Sequence, residues 1–331
     1  MTLPAPRIVD ASLREGAQAP GVRFDPADGA AIARALAALG VDMVECGHPA
    51  AGPAEAARVA AVRAATDAPL LAHARATPGD VAAVAASGAD WVGVFIGIND
   101  VSRAARLSER VAGRVGRQSA EAVAEAKSLG LMVRFTVEDA SRTEESALVD
   151  AYARALDEGA DRICFADTVG VLTPERTAAA VGALLGALPG VPLELHLHDD
   201  RGLALANALA GWRAGASWIS TSLNGIGERS GVVDTLQLLV NLRLEAPEAR
   251  AWPDGRHVAA ARDLMARIAD RPTPPGRPCT GAHAFKHGSD LHKKAVARDP
   301  LAYQAFDPAW VDARHELADG PAEPPLARGA A

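Results

Sequence analysis

Short apolar runs alternate with Ala-rich amphipathic stretches along the first 240 or so residues, and few folds accept that rhythm. Strand-like runs cover 7–13, 41–47, 69–74, 91–97, 131–137, 161–166, 192–198 and 216–223. Between them, helical periodicity covers 28–39, 54–65, 78–87, 119–129, 144–158, 174–187, 202–214 and 231–243. Gly40, Gly88, Gly130, Gly159 and Gly215 each fall where a helix gives way to a strand, the place of a left-handed C-cap. Thr77-Pro78 and Thr173-Pro174 set a capping hydroxyl before a proline at the first helical position. Eight such units predict an α/β fold, a (β/α)8 TIM barrel followed by a small, mostly helical C-terminal subdomain. A doubly wound open sheet is the runner-up, but no G-x-G-x-x-G follows the first strand.

The expected division is a catalytic barrel over 1–245, a linker and subdomain over 246–317 that contributes to the active site, and a disordered tail over 318–331. Pro272, Pro274, Pro275 and Pro278 stiffen the linker. The 331 residues carry a net charge of -7 with no basic stripe, which argues against nucleic acid as a partner. No apolar stretch is long enough to span a membrane. Three cysteines without close pairing fit a reducing, cytoplasmic compartment. Met1 to Arg7 does not read as a signal peptide, and no long C-terminal feedback domain is expected.

A barrel of this kind gathers its chemistry where strands end. There the chain places Asp10, Arg14, Glu15 and Gln18, then Glu45, Cys46 and His48, then His73. Arg134, Thr136 and Glu138 follow, with Thr168, and finally Glu194, His196 and His198. In a strand, residues i and i+2 face the same way, so His196 and His198 leave one face together. Read alone, the pair fits two hydrogen-bonded histidines as well as two ligands. With Glu15 it makes one carboxylate and two imidazoles, an open set that Zn2+, Mn2+, Mg2+ or Co2+ would accept. Arg14 would face developing negative charge, and Arg134 with His73 would clamp a substrate carboxylate.

Two longer motifs sharpen this. Asp10 to Gln18 follows D-x-[ST]-L-R-[DE]-G-x-Q, and His196 to Asn207 follows H-x-H-[ND]-D-x-G-x-A-x-A-N. Both resemble the DRE-TIM metallolyase superfamily, in its branch of homocitrate and isopropylmalate synthases. The likeness runs over about residues 7–312 and includes Gly281 to His292, Asp299-Pro300 and Tyr303. It implies a homodimeric acyltransferase of amino-acid biosynthesis that joins acetyl-CoA to a 2-oxoacid by a Claisen-type condensation. It further implies that Glu15, His196 and His198 bind a divalent metal, that Arg14 stabilises the oxyanion, and that Gln18 and Thr168 place the oxoacid. Glu45, Glu138 and Glu194 would lie in or beside the site. His292 would take the acetyl proton, with Tyr303 and His287 nearby, reaching into the partner subunit's barrel.

The L-R-E-G form, Arg134 and the absence of an asparagine at Val232 resemble homocitrate synthases, so 2-oxoglutarate is the expected acceptor. Thr136, Asp199, Ser289-Asp290-Leu291 and Cys46-Gly47-His48 depart from the family pattern near the pocket. Oxaloacetate, phosphonopyruvate, pyruvate or 2-oxoisovalerate therefore stay open, as does a lyase acting on a hydroxyacyl-CoA. Asp10 reads as support for Arg14 or the first strand, Asn224 to Gly231 as a shaped loop, and Cys164 as core. His48, His257, His283 and His315 read as surface or internally satisfied histidines.

Overall fold

The computed structural model describes residues 4–106, 115–314 and 316–317. The expected tail and His315 lie outside the described residues. The eight strands, β1 (Arg7–Asp10), β2 (Met43–Gly47), β3 (Leu70–Arg75), β4 (Trp91–Gly97), β5 (Met132–Glu138), β6 (Arg162–Asp167), β7 (Leu193–Leu197) and β8 (Trp218–Thr221), close into one barrel. Every neighbouring pair is parallel, and closure sets Arg7 opposite Trp218 and Asp10 opposite Thr221. Thr77 and Thr173 cap their helices as expected, accepting from the backbone N–H of Asp80 and Arg176. Gly40 closes the helix Pro26–Leu39 at φ 71°.

Several boundaries differ from the sequence reading by a few residues, and two of them have a clear local reason. The first strand stops at Asp10 rather than 13, because the Asp10 carboxylate accepts from the Ser12 backbone N–H at 2.8 Å. The chain then turns into the short helix Ser12–Glu15, which carries Arg14 and Glu15 across the barrel mouth. The helix expected from 231 begins at Thr235, because Val232 makes a bridge with His198 and Asp234 caps the helix.

The main apolar core lies between the strands and the surrounding helices. Inside the barrel, Val9, Met43, Leu71 and Trp218 form a separate apolar plug, with Trp91 packed against it. On this plug rests Arg162, its guanidinium 4.6 Å from the Trp91 ring and 4.0 Å from the Trp218 ring. Above it the interior becomes a ladder of charges. Arg162 reaches Glu194 at 2.9 Å, and Arg134 reaches both Glu194 and Glu45 at 3.0 Å. After the barrel, the helix Gly255–Ile268 packs on the helix Pro26–Leu39. Turns then lead to a two-stranded pairing of Lys286–His287 with Glu316–Leu317 and to the short helix Asp290–Val296. Among the described residues no helix is long and apolar enough to cross a membrane.

Candidate active site

The mouth of the barrel holds a cavity of about 170 Å³ at the C-terminal ends of the strands. Strand parity decides what faces it. Arg134, Thr136 and Glu138 alternate inward along β5, and Cys164 and Ala166 do so on β6 above Arg162. On β7 the inward set is Glu194, His196 and then His198 just past the strand. Arg14, Glu15, Gln18, His73 and Thr168 complete the expected members of the lining. Glu45 lies just beneath, bonded to Arg14, His73 and Arg134.

Glu15, His196 and His198 offer ligand atoms that all lie within 4.8 Å of one another, and all three residues are buried. His196 Nδ1 is 2.9 Å from Ser220 Oγ, which turns Nε2 toward Glu15 Oε1 at 3.1 Å. Glu15 Oε2 and His198 Nδ1 are buried without a hydrogen-bond partner. Two buried polar atoms without partners in one cluster are costly unless something binds there, and a divalent cation fits a set of one carboxylate and two imidazoles. Burial, then the neighbouring His196, pushes the His198 imidazole down to about 3, so it stays neutral and able to ligate. Burial opposes a charge on Glu15, yet Arg14 and the two imidazoles hold its carboxyl well below the usual range.

Arg14 bonds Glu15 directly and donates from Nε to Glu45 at 2.6 Å. His73 Nδ1 lies 2.9 Å from Glu45, while its Nε2 is buried without a partner. Burial is the main cause that drops His73 to about 4; Arg14 and Arg134 add to it, and Glu45 opposes it. With Glu45 as an acceptor, His73 holds its proton on Nδ1 and turns a lone pair toward the cavity. The Thr168 hydroxyl accepts from the Asp139 backbone N–H at 2.8 Å.

His292 and Tyr303 are brought together but not into this cavity. Their rings stack with centroids 4.0 Å apart on the post-barrel segment, and Tyr303 is 45% exposed. His287 stands edge-on to His292. Asp10 accepts from Ser12 and from the Thr235 hydroxyl at 2.6 Å, so it pins the turn after β1 and makes no bond to Arg14. Burial pushes the Asp10 carboxyl up to about 6.

The sequence reading has His48 as internally satisfied, which its bond to Asp80 bears out, but it does not place His48, Cys164 or Arg162 at the site. Cys164 lines the cavity and is not merely core. Its i−2 and i+2 neighbours Arg162 and Ala166 carry the parity signal that points to it. His48 borders the cavity and is bonded to Asp80. Arg162 is the buried base of the charge ladder. Phe95 and Glu228 also line the cavity. Cys46 points the other way, its thiol against the Leu71 carbonyl at 3.3 Å, and burial pushes that thiol up to about 12. His257 and His283 are exposed, as expected.

The HMGL-like family pattern matches residues 5–264 of this chain. The chain belongs to the HMGL-like family. A protein of Methanoculleus marisnigri that bears the provisional name (R)-citramalate synthase is 37% identical over 324 residues, which span 95% of this chain and 61% of that protein. The homocitrate synthase of Saccharolobus solfataricus is 35% identical over 306 residues, 91% of this chain and 66% of that enzyme. The chain thus spans less than two thirds of the length of these relatives. The HMG-CoA lyase of Pseudomonas aeruginosa superposes with a TM-score of 0.71 at 22% identity, covering 90% of this chain and all of that one. That likeness shows the shared barrel fold.

Proposed function

We propose that the protein is a metal-dependent enzyme that condenses acetyl-CoA with a 2-oxo dicarboxylic acid, with 2-oxoglutarate as the favoured acceptor and homocitrate and CoA as products. The observation that carries this reading is the Glu15, His196, His198 cluster, with its two buried polar atoms without partners, set against Arg14. A bound divalent ion would act there as a Lewis acid on the oxoacid ketone.

The charge balance of the buried ladder supports a dicarboxylate. Arg14, Arg134 and Arg162 are offset by Glu15, Glu45 and Glu194. A divalent ion would add two positive charges, which a doubly charged acid would offset. Glu138 and Glu228, at the more exposed rim, lie outside that balance.

Each side chain then has a role. Arg14 faces the alkoxide formed at the ketone carbon, an oxyanion-hole arrangement. His73 and Arg134 meet the distal carboxylate, and Gln18, Thr136, Glu138 and Thr168 shape the acceptor's position. Glu45 and Glu194 hold the arginines in place. His292 takes a proton from the acetyl methyl group, with Tyr303 against its ring. Since both lie outside the cavity of their own chain, we assign them to the site of a second subunit in a homodimer. Three unpaired cysteines support a cytoplasmic setting.

Thiol release from acetyl-CoA, measured over a panel of 2-oxoacids with and without a chelator, tests the reading. We expect release with 2-oxoglutarate that stops on chelation. Release only with pyruvate would move the assignment to the citramalate reaction, and none with any acceptor would overturn it.

A further inference from the structure

His48 is the cavity histidine that neither the cation cluster nor the charge ladder employs, and the chain builds an orienting frame around it. Gly47, at φ 127°, makes a turn that side chains resist; a Cβ there would meet Arg58 Nη2 and Glu55 Oε2 at 2.7 Å. The His48 backbone N–H then donates to Glu55 Oε2 at 3.2 Å. Its ring Nε2 lies 2.8 Å from Asp80 Oδ2. Asp80 is itself fixed by Arg75, which donates from Nε at 2.7 Å and from Nη2 at 2.9 Å, and by the Thr77 hydroxyl.

The frame settles the tautomer. Burial disfavours a charge on Asp80, but the bonds from Arg75 and His48 hold its carboxyl well below the usual range, so it can only accept. Nε2 therefore carries the proton. Nδ1 has no hydrogen-bond partner among the described residues and is left with its lone pair. A histidine whose far nitrogen is held by a carboxylate is the arrangement of a general base. The charged groups around it are Asp80 and Arg75 on one side and Glu55 and Arg58 on the other.

Location narrows the task. A cavity of about 170 Å³ holds a small acid but not a coenzyme A. The thioester must then lie at the mouth, and there the His48 side chain is 25% exposed, open to water from outside. His73, by contrast, is only 12% exposed at its side chain and is bound to Glu45.

We propose that His48, oriented by Asp80, is the proton-transfer residue for hydrolysis of the acyl-CoA adduct. This rests on the synthase reading above and adds to it. Water attacks the thioester carbonyl carbon while His48 Nδ1 takes its proton. The tetrahedral adduct then collapses, the C–S bond breaks, and the imidazolium returns the proton to the departing sulfur. The sum is thioester plus water to carboxylic acid plus thiol.

The test uses the full chain with acetyl-CoA and 2-oxoglutarate under single-turnover conditions, followed by quenching and mass spectrometry. In His48→Gln and in Asp80→Asn the condensed acyl-CoA should accumulate, thiol release should slow by about a hundredfold, and the acceptor KM should stay within about threefold. Unchanged thiol release in folded His48→Gln overturns the proposal. So does a rise in acceptor KM without accumulated adduct, which marks a binding contact, or a normal Asp80→Asn beside an impaired His48→Gln. Circular dichroism and metal content show whether each variant is folded. If the unmodified protein releases no thiol with any oxoacid, the synthase reading fails instead.

Discussion

Arg162 and Glu194 meet 2.9 Å apart inside the barrel, with side chains only 1% and 0% exposed. The guanidinium also lies against the Trp91 and Trp218 rings, at 4.6 and 4.0 Å. Removing one partner of such a pair strands a buried charge, at a cost of about 3–5 kcal/mol. Glu194→Gln should therefore lower the melting temperature by roughly 10 °C. The double variant Arg162→Met, Glu194→Leu should recover part of that loss, because a filled apolar interior strands no charge. Thermal unfolding followed by circular dichroism checks both, and a double variant less stable than Glu194→Gln would contradict the account.

The cation cluster makes a graded prediction. Glu15→Ala and His196→Ala should abolish binding of Zn2+ or Mn2+ by calorimetry. Ser220→Ala removes only the group that orients His196. It should weaken binding by about tenfold to a hundredfold. Equal affinity in Ser220→Ala and the unmodified protein would show that the ring needs no such orientation.

Arg134 tests the acceptor. In Arg134→Leu, Glu45 keeps Arg14 and His73, and Glu194 keeps Arg162, so neither carboxylate is stranded. The fold should persist while kcat/KM for 2-oxoglutarate falls by about a hundredfold, a loss of roughly 2.7 kcal/mol. Activity on pyruvate should change much less. An unchanged preference between the two acids removes the dicarboxylate assignment.

His73 adds a pH dependence with a definite sign. In the free site burial holds it at about 4, so near neutral pH Nε2 carries no proton. A carboxylate placed against Nε2 favours the imidazolium, so acceptor binding takes up a proton and strengthens as pH falls. Above about pH 4 the acceptor KM should therefore rise with pH, by up to tenfold per unit until the bound imidazolium titrates. His73→Gln should flatten that profile. A KM that improves with rising pH would exclude this contact.

The elements were legible because their signals are local. Caps such as Thr77 and Thr173, the Gly40 closure and the apolar runs act over a few residues, and each appears where the sequence indicates. Much of the site was legible too, since strand parity places Arg134, Thr136 and Glu138 on one face, as it does Glu194, His196 and His198. The same parity marks Cys164 but was outweighed by its apolar surroundings. Asp80 gave no sign of its partner His48, because 32 residues separate them and the contact depends on how β2 and β3 pair.

What the sequence determined by itself is therefore the repeating strand and helix unit, its punctuation, and the residue types presented at each strand end. The tertiary structure decided which of those side chains meet. Arg162 takes its place against Trp91 and Trp218, and Asp10 finds Thr235, 225 residues away, only when β8 closes onto β1. The reason is physical. Local propensity acts through backbone torsions over one or two turns, whereas a buried charge is tolerable only beside partners that barrel closure delivers.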